Sequence, residues 1–84
     1  MNSRHRKTLA WVFNEPVPRT LPWADIEAML VAAGAVCINK GGSAVTFALR
    51  GERLDVHRPH PEKEAKPYVV RNARRFLELA GVKP

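Results

Sequence analysis

Eighty-four residues, 45% of them hydrophobic and including two Trp and three Phe, make a chain too apolar to stay disordered and too short for more than one core. No apolar run approaches the roughly 20 residues of a membrane helix. The basic start, Met1 to Lys7, leads into no signal-peptide-like apolar segment, so a cytoplasmic protein without a membrane partner is predicted. Lys plus Arg outnumber Asp plus Glu by 14 to 8, and the resulting +6 points to a polyanion, nucleic acid above all, or to an acidic protein as partner.

In chain order, Leu9, Val12 and Phe13 share one face of a short helix predicted over residues 3–14, with Ser3 as N-cap and Trp11 to one side as an exposed aromatic. Pro16 and Pro18 end this helix and stiffen an extended connector. Residues 1–19 therefore read as an N-terminal helical arm, and 20–84 as the compact domain. Pro22 suits the first turn of a second helix, where Asp25 and Glu27 meet the positive end of its dipole. Trp23, Ile26, Met29, Leu30 and Ala33 form its apolar stripe, and Gly34 stops it.

Three strands follow. Val36 and Ile38 alternate with Cys37 and Asn39, then Val45, Phe47 and Leu49 with Thr46, Ala48 and Arg50, then Leu54 and Val56 with Asp55 and His57. The single cysteine, Cys37, forms no internal disulfide and is expected as a small buried hydrophobe. Lys40-Gly41-Gly42 and Arg50-Gly51-Glu52 have the length of hairpin connections. Arg58-Pro59-His60-Pro61 cannot continue a central strand. A last helix starts near Pro67, buries Val69, Val70, Ala73, Phe76, Leu77 and Ala80, and ends at Gly81.

This order predicts an α+β sandwich, a three-stranded antiparallel sheet with both helices on one face. It is the α-β-β-β-α order of the double-stranded-RNA-binding fold, with an extra N-terminal helix. The basic residues concentrate late. Between His57 and Arg75 lie Arg58, Lys63, Lys66, Arg71, Arg74 and Arg75 against Glu62 and Glu64, a net of +4. Arg71, Arg74 and Arg75 are expected on the exposed side of the last helix.

Gly42-Ser43-Ala44 opens the middle strand, His57-Arg58-Pro59-His60-Pro61-Glu62-Lys63-Glu64 follows the second hairpin, and Ala80-Gly81 closes the last helix. In these three segments, across residues 20–84, the chain resembles the HicA toxins of bacterial toxin–antitoxin pairs. Their strand carries Gly-Ser-His, their loop Pro-His-Pro-x-Lys-Glu, and their closing helix Ala-Gly or a close variant. The resemblance implies an mRNA interferase, an endoribonuclease that cuts mRNA without the ribosome and is neutralised by a HicB antitoxin. It also places the family's catalytic histidine at Ala44.

An imidazole suits that place because RNA cleavage by its own 2′-OH needs a base near neutrality and later an acid for the 5′-oxygen. Histidine, with an unperturbed pKa of about 6.5, serves either role and contributes roughly 10² to 10⁴ in rate. Ala44 can do neither. It reads as a deliberate inactivation, as a natural form relying on another base or a cation such as arginine, or as an ordinary small residue on the solvated face. A non-catalytic RNA- or antitoxin-binding module is the competing function.

By strand parity Ala44, Thr46 and Ala48 share the open face, and His57 joins them as a candidate substitute base or an exposed strand-end histidine. Lys40, Gly42 and Ser43 form either a plain hairpin turn or a phosphate cradle of backbone N–H groups and one ammonium. RNA would cross this face past Lys40, His57, Arg58, His60 and Lys63, and the antitoxin would cover it. His60, between prolines, serves the shape of its loop or a partner. His5 is expected in solvent. His57 and His60, without a further ligand cluster, make a poor zinc set, and no cofactor is predicted.

Overall fold

Strand parity sets the layers. The computed structural model describes all 84 residues and places α1 at Ser3–Val12, α2 at Trp23–Ala32, β1 at Val36–Asn39, β2 at Ala44–Leu49, β3 at Glu52–His57 and α3 at Pro67–Leu79. The sheet is an antiparallel meander in the order β1-β2-β3. Val45 stands opposite Val56, and Phe47 opposite Leu54, all buried on the helix side. Ala44 opposite His57, Thr46 opposite Asp55 and Ala48 opposite Arg53 make up the other face. The α+β sandwich and the strand parity are as the sequence predicts.

The β2–β3 connection is a two-residue turn with both central residues at positive φ, Arg50 at 50° and Gly51 at 83°. That is the type I′ turn, whose twist matches that of the flanking strands. Gly51→Ala puts a Cβ into the left-handed region and is expected to cost about 1–2 kcal/mol, read as a lower denaturation midpoint at unchanged slope. Arg50 reaches beyond its turn, donating from Nη1 to the Ala80 carbonyl (2.8 Å) at the end of α3.

Ile26, Met29 and Leu30 of α2 and Val70, Ala73, Phe76 and Leu77 of α3 fill the core against Val45 and Phe47. Trp23 sets its ring edge-on to Phe47, with centroids 6.0 Å apart, an arrangement favoured by the ring quadrupoles. Trp23 is buried and Trp11 is 45% exposed, as the pattern implies. Leu9 and Val12 of α1 lie in the same core as the sheet residues. The first helix is therefore packed into the helical layer, against α2 and α3.

Four local expectations are corrected. Asn2, not Ser3, caps α1, its side-chain oxygen accepting the His5 N–H at 2.9 Å, and the helix ends at Val12. Pro22 takes the N-cap of α2 instead of its first turn. Cys37 is exposed. It stands opposite Phe47 and so points to the helix side, but β1 is an edge strand that the helices do not cover. Val36 and Ile38 point to the open face and are 61% and 45% exposed. Arg74 is not on the solvated side of α3. Its guanidinium donates to the Val12 carbonyl (2.9 Å), the Asn14 carbonyl (2.8 Å) and the Glu15 carboxylate (2.6 Å). Arg71 and Arg75 are exposed as expected.

Candidate active site on the open sheet face

Position 44 is fixed by its backbone. The Ala44 N–H donates to the Gly41 carbonyl (3.2 Å), and the Ala44 carbonyl accepts from the Lys40 N–H (3.0 Å). Gly41 and Gly42 take positive φ, 97° and 57°, which closes the hairpin around them. The Ser43 carbonyl accepts the Arg58 N–H at 2.9 Å, tying the hairpin to the chain leaving β3. Ala44 thus faces His57 directly across the ladder on the uncovered side, where opposed Cβ atoms lie about 4.5–5.5 Å apart.

Around this pair runs a shallow depression lined by Lys40, Ala44, Thr46, Arg53, Asp55 and His57. Thr46 Oγ1 donates to Asp55 Oδ1, and Arg53 Nε approaches both Asp55 oxygens at 3.1 Å. The Thr46 hydrogen bond first, then Arg53, holds the Asp55 carboxyl below its ordinary range. At neutral pH the depression therefore offers an ammonium, an imidazole, a guanidinium and an ionised carboxylate around a methyl group. Arg53 and Asp55 are paired with each other, which leaves Lys40 as the unpaired cation of the depression, and at position 44 nothing can move a proton.

The loop after β3 is clamped to the start of α2. The Trp23 N–H donates to the Lys63 carbonyl and the Ala65 N–H to the Leu21 carbonyl, each at 2.9 Å, around a bridge between Pro22 and Glu64. Arg58 forms the second clamp. Its Nε and Nη2 meet the two Glu27 oxygens at 3.1 and 2.9 Å, and Nη1 reaches Asn39 Oδ1 at 3.1 Å. Trp23 Nε1 also donates to Glu27 (2.9 Å). Arg58 therefore spends its charge on Glu27 within the fold. Its side-chain hydrogen bond to Glu27 raises its pKa, and the same bond holds the Glu27 carboxyl below its ordinary value.

The linkage of this pair has a definite sign. A carboxyl depressed in the folded state stabilises above its unfolded value, ordinarily 4.5, and loses that contribution as pH falls through the lower folded value. Glu27→Gln is expected to cost about 1–3 kcal/mol at neutral pH, because Arg58 loses a charged bidentate partner. Its stability should also fall less steeply than the parent's on acidification. Denaturant midpoints at neutral pH and in the acid range below the ordinary carboxylate value check both statements.

Of the residues singled out from sequence, Lys40, Ala44 and His57 come together in the open-face depression. His57, Arg58 and His60 line a second one, beside Lys66 and Tyr68 at the start of α3. His57 borders both. Gly42 and Ser43 form the adjoining hairpin, and Lys63 is exposed outside both depressions. Thr46, Arg53, Asp55 and Glu27 were not picked out as site groups. The polar open-face parity of the first three was the available signal, whereas a contact between residues 27 and 58 left none. No group of three or more His, Cys, Asp or Glu side chains converges in a metal-binding arrangement. No helix is long and apolar enough to cross a membrane.

A three-stranded antiparallel sheet with helices on one face and a basic, histidine-bearing open face defines a small α+β protein of the double-stranded-RNA-binding arrangement. The family model described as the HicA toxin of bacterial toxin–antitoxin matches residues 23–82, from the first residue of α2 to just beyond α3. The chain belongs to the HicA toxin family. It is the toxin component of a toxin–antitoxin system, with an antitoxin as partner. No curated protein and no solved structure matches the chain.

Proposed function

We propose that this chain is an mRNA interferase by descent, a ribosome-independent cytoplasmic endoribonuclease whose cleavage centre is position 44 and whose open face a HicB-like antitoxin covers. The observation that carries this reading is the Ala44–His57 cross-strand pair on the uncovered face, beside Lys40. Cleavage there starts with attack of the RNA 2′-oxygen on the adjacent phosphorus. A base takes the 2′-OH proton, the bond from phosphorus to the 5′-oxygen breaks, and an acid protonates that oxygen. A cyclic 2′,3′-phosphate and a free 5′-OH result.

His57 is the one imidazole in the depression, so a single group would have to serve both proton transfers. Lys40 and the Gly42 and Ser43 amides hold phosphate in this reading, and His60 and Lys63 guide the strand along the clamped loop. Arg58 anchors that loop through Glu27. With a methyl at position 44 the chain binds RNA and turns it over near the background rate.

Ala44 itself favours a second reading, a toxin homologue that keeps its RNA or antitoxin surface and has no nuclease activity. RNA cleavage by the parent, Ala44→His and Ala44→Arg chains, without divalent metal and near neutral pH, tests both. Activity gained by either variant supports a cleavage centre at 44. Binding by all three with cleavage by none leaves the binding module.

A further inference from the structure

The first helix lies outside the family-matched residues and carries an aromatic surface that neither the core nor the open face uses. Trp11 is 45% exposed, and its indole N–H makes no hydrogen bond, the only indole donor being that of Trp23. It lines a groove of about 450 Å³ between α1 and the segment entering α2, together with Arg4, Lys7, Pro18, Leu21 and Pro22. The floor is preformed, since Thr8 and Leu21 are buried.

The charge of this groove is cationic. Lys7 is exposed and takes part in none of the four ion pairs. Asp25 is the only carboxylate in the lining, and Arg4 already approaches it at 3.4 Å. The α1 segment Ser3–Val12 contains Arg4, His5, Arg6 and Lys7 and no acidic residue. An exposed indole beside prolines, with ammonium and guanidinium groups on its rim, is the combination that holds single-stranded nucleic acid: a π-face for a base and cations for its phosphates.

We propose that this groove is an accessory site for single-stranded RNA, with one base stacked on Trp11 and the neighbouring phosphates held by Lys7 and Arg4. The proposal rests on the reading of the chain as an RNA-binding toxin. Continuity with the open face supports the same occupant. Leu21 and Pro22 line the groove, and they also pair with Ala65 and Glu64 of the loop that carries His60 and Lys63. That loop leads back along the chain to His57, so the groove and the open face are joined through one clamped segment. The site would hold RNA upstream or downstream of the scissile bond and lengthen the footprint beyond the sheet.

Fluorescence anisotropy with a labelled single-stranded RNA of about twelve nucleotides tests this on the full chain, a length set by the usual span of such grooves. Trp11→Ala is expected to weaken binding by about five- to a hundredfold, and Trp11→Phe to retain most of it, because phenylalanine keeps a stacking face. Lys7→Gln, a change at an exposed residue that leaves the fold intact, should lower the slope of log K against log salt by about 0.7. Unchanged affinity and slope in Trp11→Ala and Lys7→Gln, with Lys40→Gln alone weakening the complex, overturns the accessory site and leaves the open-face reading standing. Absence of salt-sensitive RNA binding by the parent chain overturns both.

Discussion

Ala44→His is expected to raise RNA cleavage by about 10² to 10⁴ over the parent chain, the range that positioned acid–base groups supply. Placing a longer side chain there asks nothing new of the fold. Position 44 is partly exposed on the open face, and its backbone is held on both sides by hairpin hydrogen bonds. The substitution should therefore change stability by no more than about 0.5 kcal/mol. The new imidazole would stand directly opposite His57, so that one ring could accept the 2′-OH proton while the other protonates the 5′-oxygen. Two predictions accompany the gain. The rate of Ala44→His should vary with pH around neutrality, as proton transfer by a histidine side chain requires. Adding His57→Ala should then remove a large part of the gained activity while RNA affinity stays near that of Ala44→His. Ala44→His chains that bind RNA as the parent does and cut no faster would take the cleavage centre away from this face.

Arg74→Ala is the change expected to damage the fold most among the charged residues, by about 2–4 kcal/mol, since hydrogen bonds to a charged group contribute roughly 1.5–3 kcal/mol. The side chain is only 17% exposed. It donates to carbonyls at the C-terminal end of α1, where a helix leaves its last C=O groups without intrahelical partners. Those carbonyls point at the end of the dipole that a cation favours. Without the guanidinium, α1 should detach before the rest of the domain unfolds. Amide exchange should show the Ser3–Val12 protons losing protection first, with the β2–β3 ladder least affected. Arg75→Ala, one position along and exposed, should stay within about 0.5 kcal/mol of the parent. Equal effects of the two substitutions would mean that the Arg74 contacts contribute nothing net.

The sheet and its two covering helices were legible because periodicity and turn residues agreed. Val45, Phe47 and Leu49 alternate, a turn around Arg50-Gly51 follows, and Leu54 and Val56 resume the alternation, so Ala44 and His57 were readable as sharing the open face. Their direct pairing was not, because the connection is Arg50-Gly51 alone and Glu52 already belongs to the ladder, opposite Leu49. What escaped the sequence were contacts whose partners lie far apart along it. Arg74 looks like a solvated helix residue until α1, about sixty residues earlier, brings its carbonyls within reach. Glu27 looks like a helix-start charge, although Arg58 and Trp23 both bond to it. Cys37 was misplaced for a different reason. Alternation says which way a side chain points, not how far the helices extend over that side of the sheet.

The uncovered margin of β1 bears on how this protein behaves in a tube. The strand Val-Cys-Ile-Asn has no lysine or proline to block it, so its outward N–H and C=O groups can pair with another extended chain. In dilute buffer at low ionic strength, like charge keeps copies apart, each carrying +6. Raising salt from about 0.01 M to about 0.1 M shortens the screening distance from roughly 30 Å to roughly 10 Å and lowers that barrier. The titration that reads phosphate contacts therefore also favours edge-to-edge clustering. Loss of RNA from the protein at high salt has to be separated from loss of protein into aggregates, with light scattering followed through the same titration.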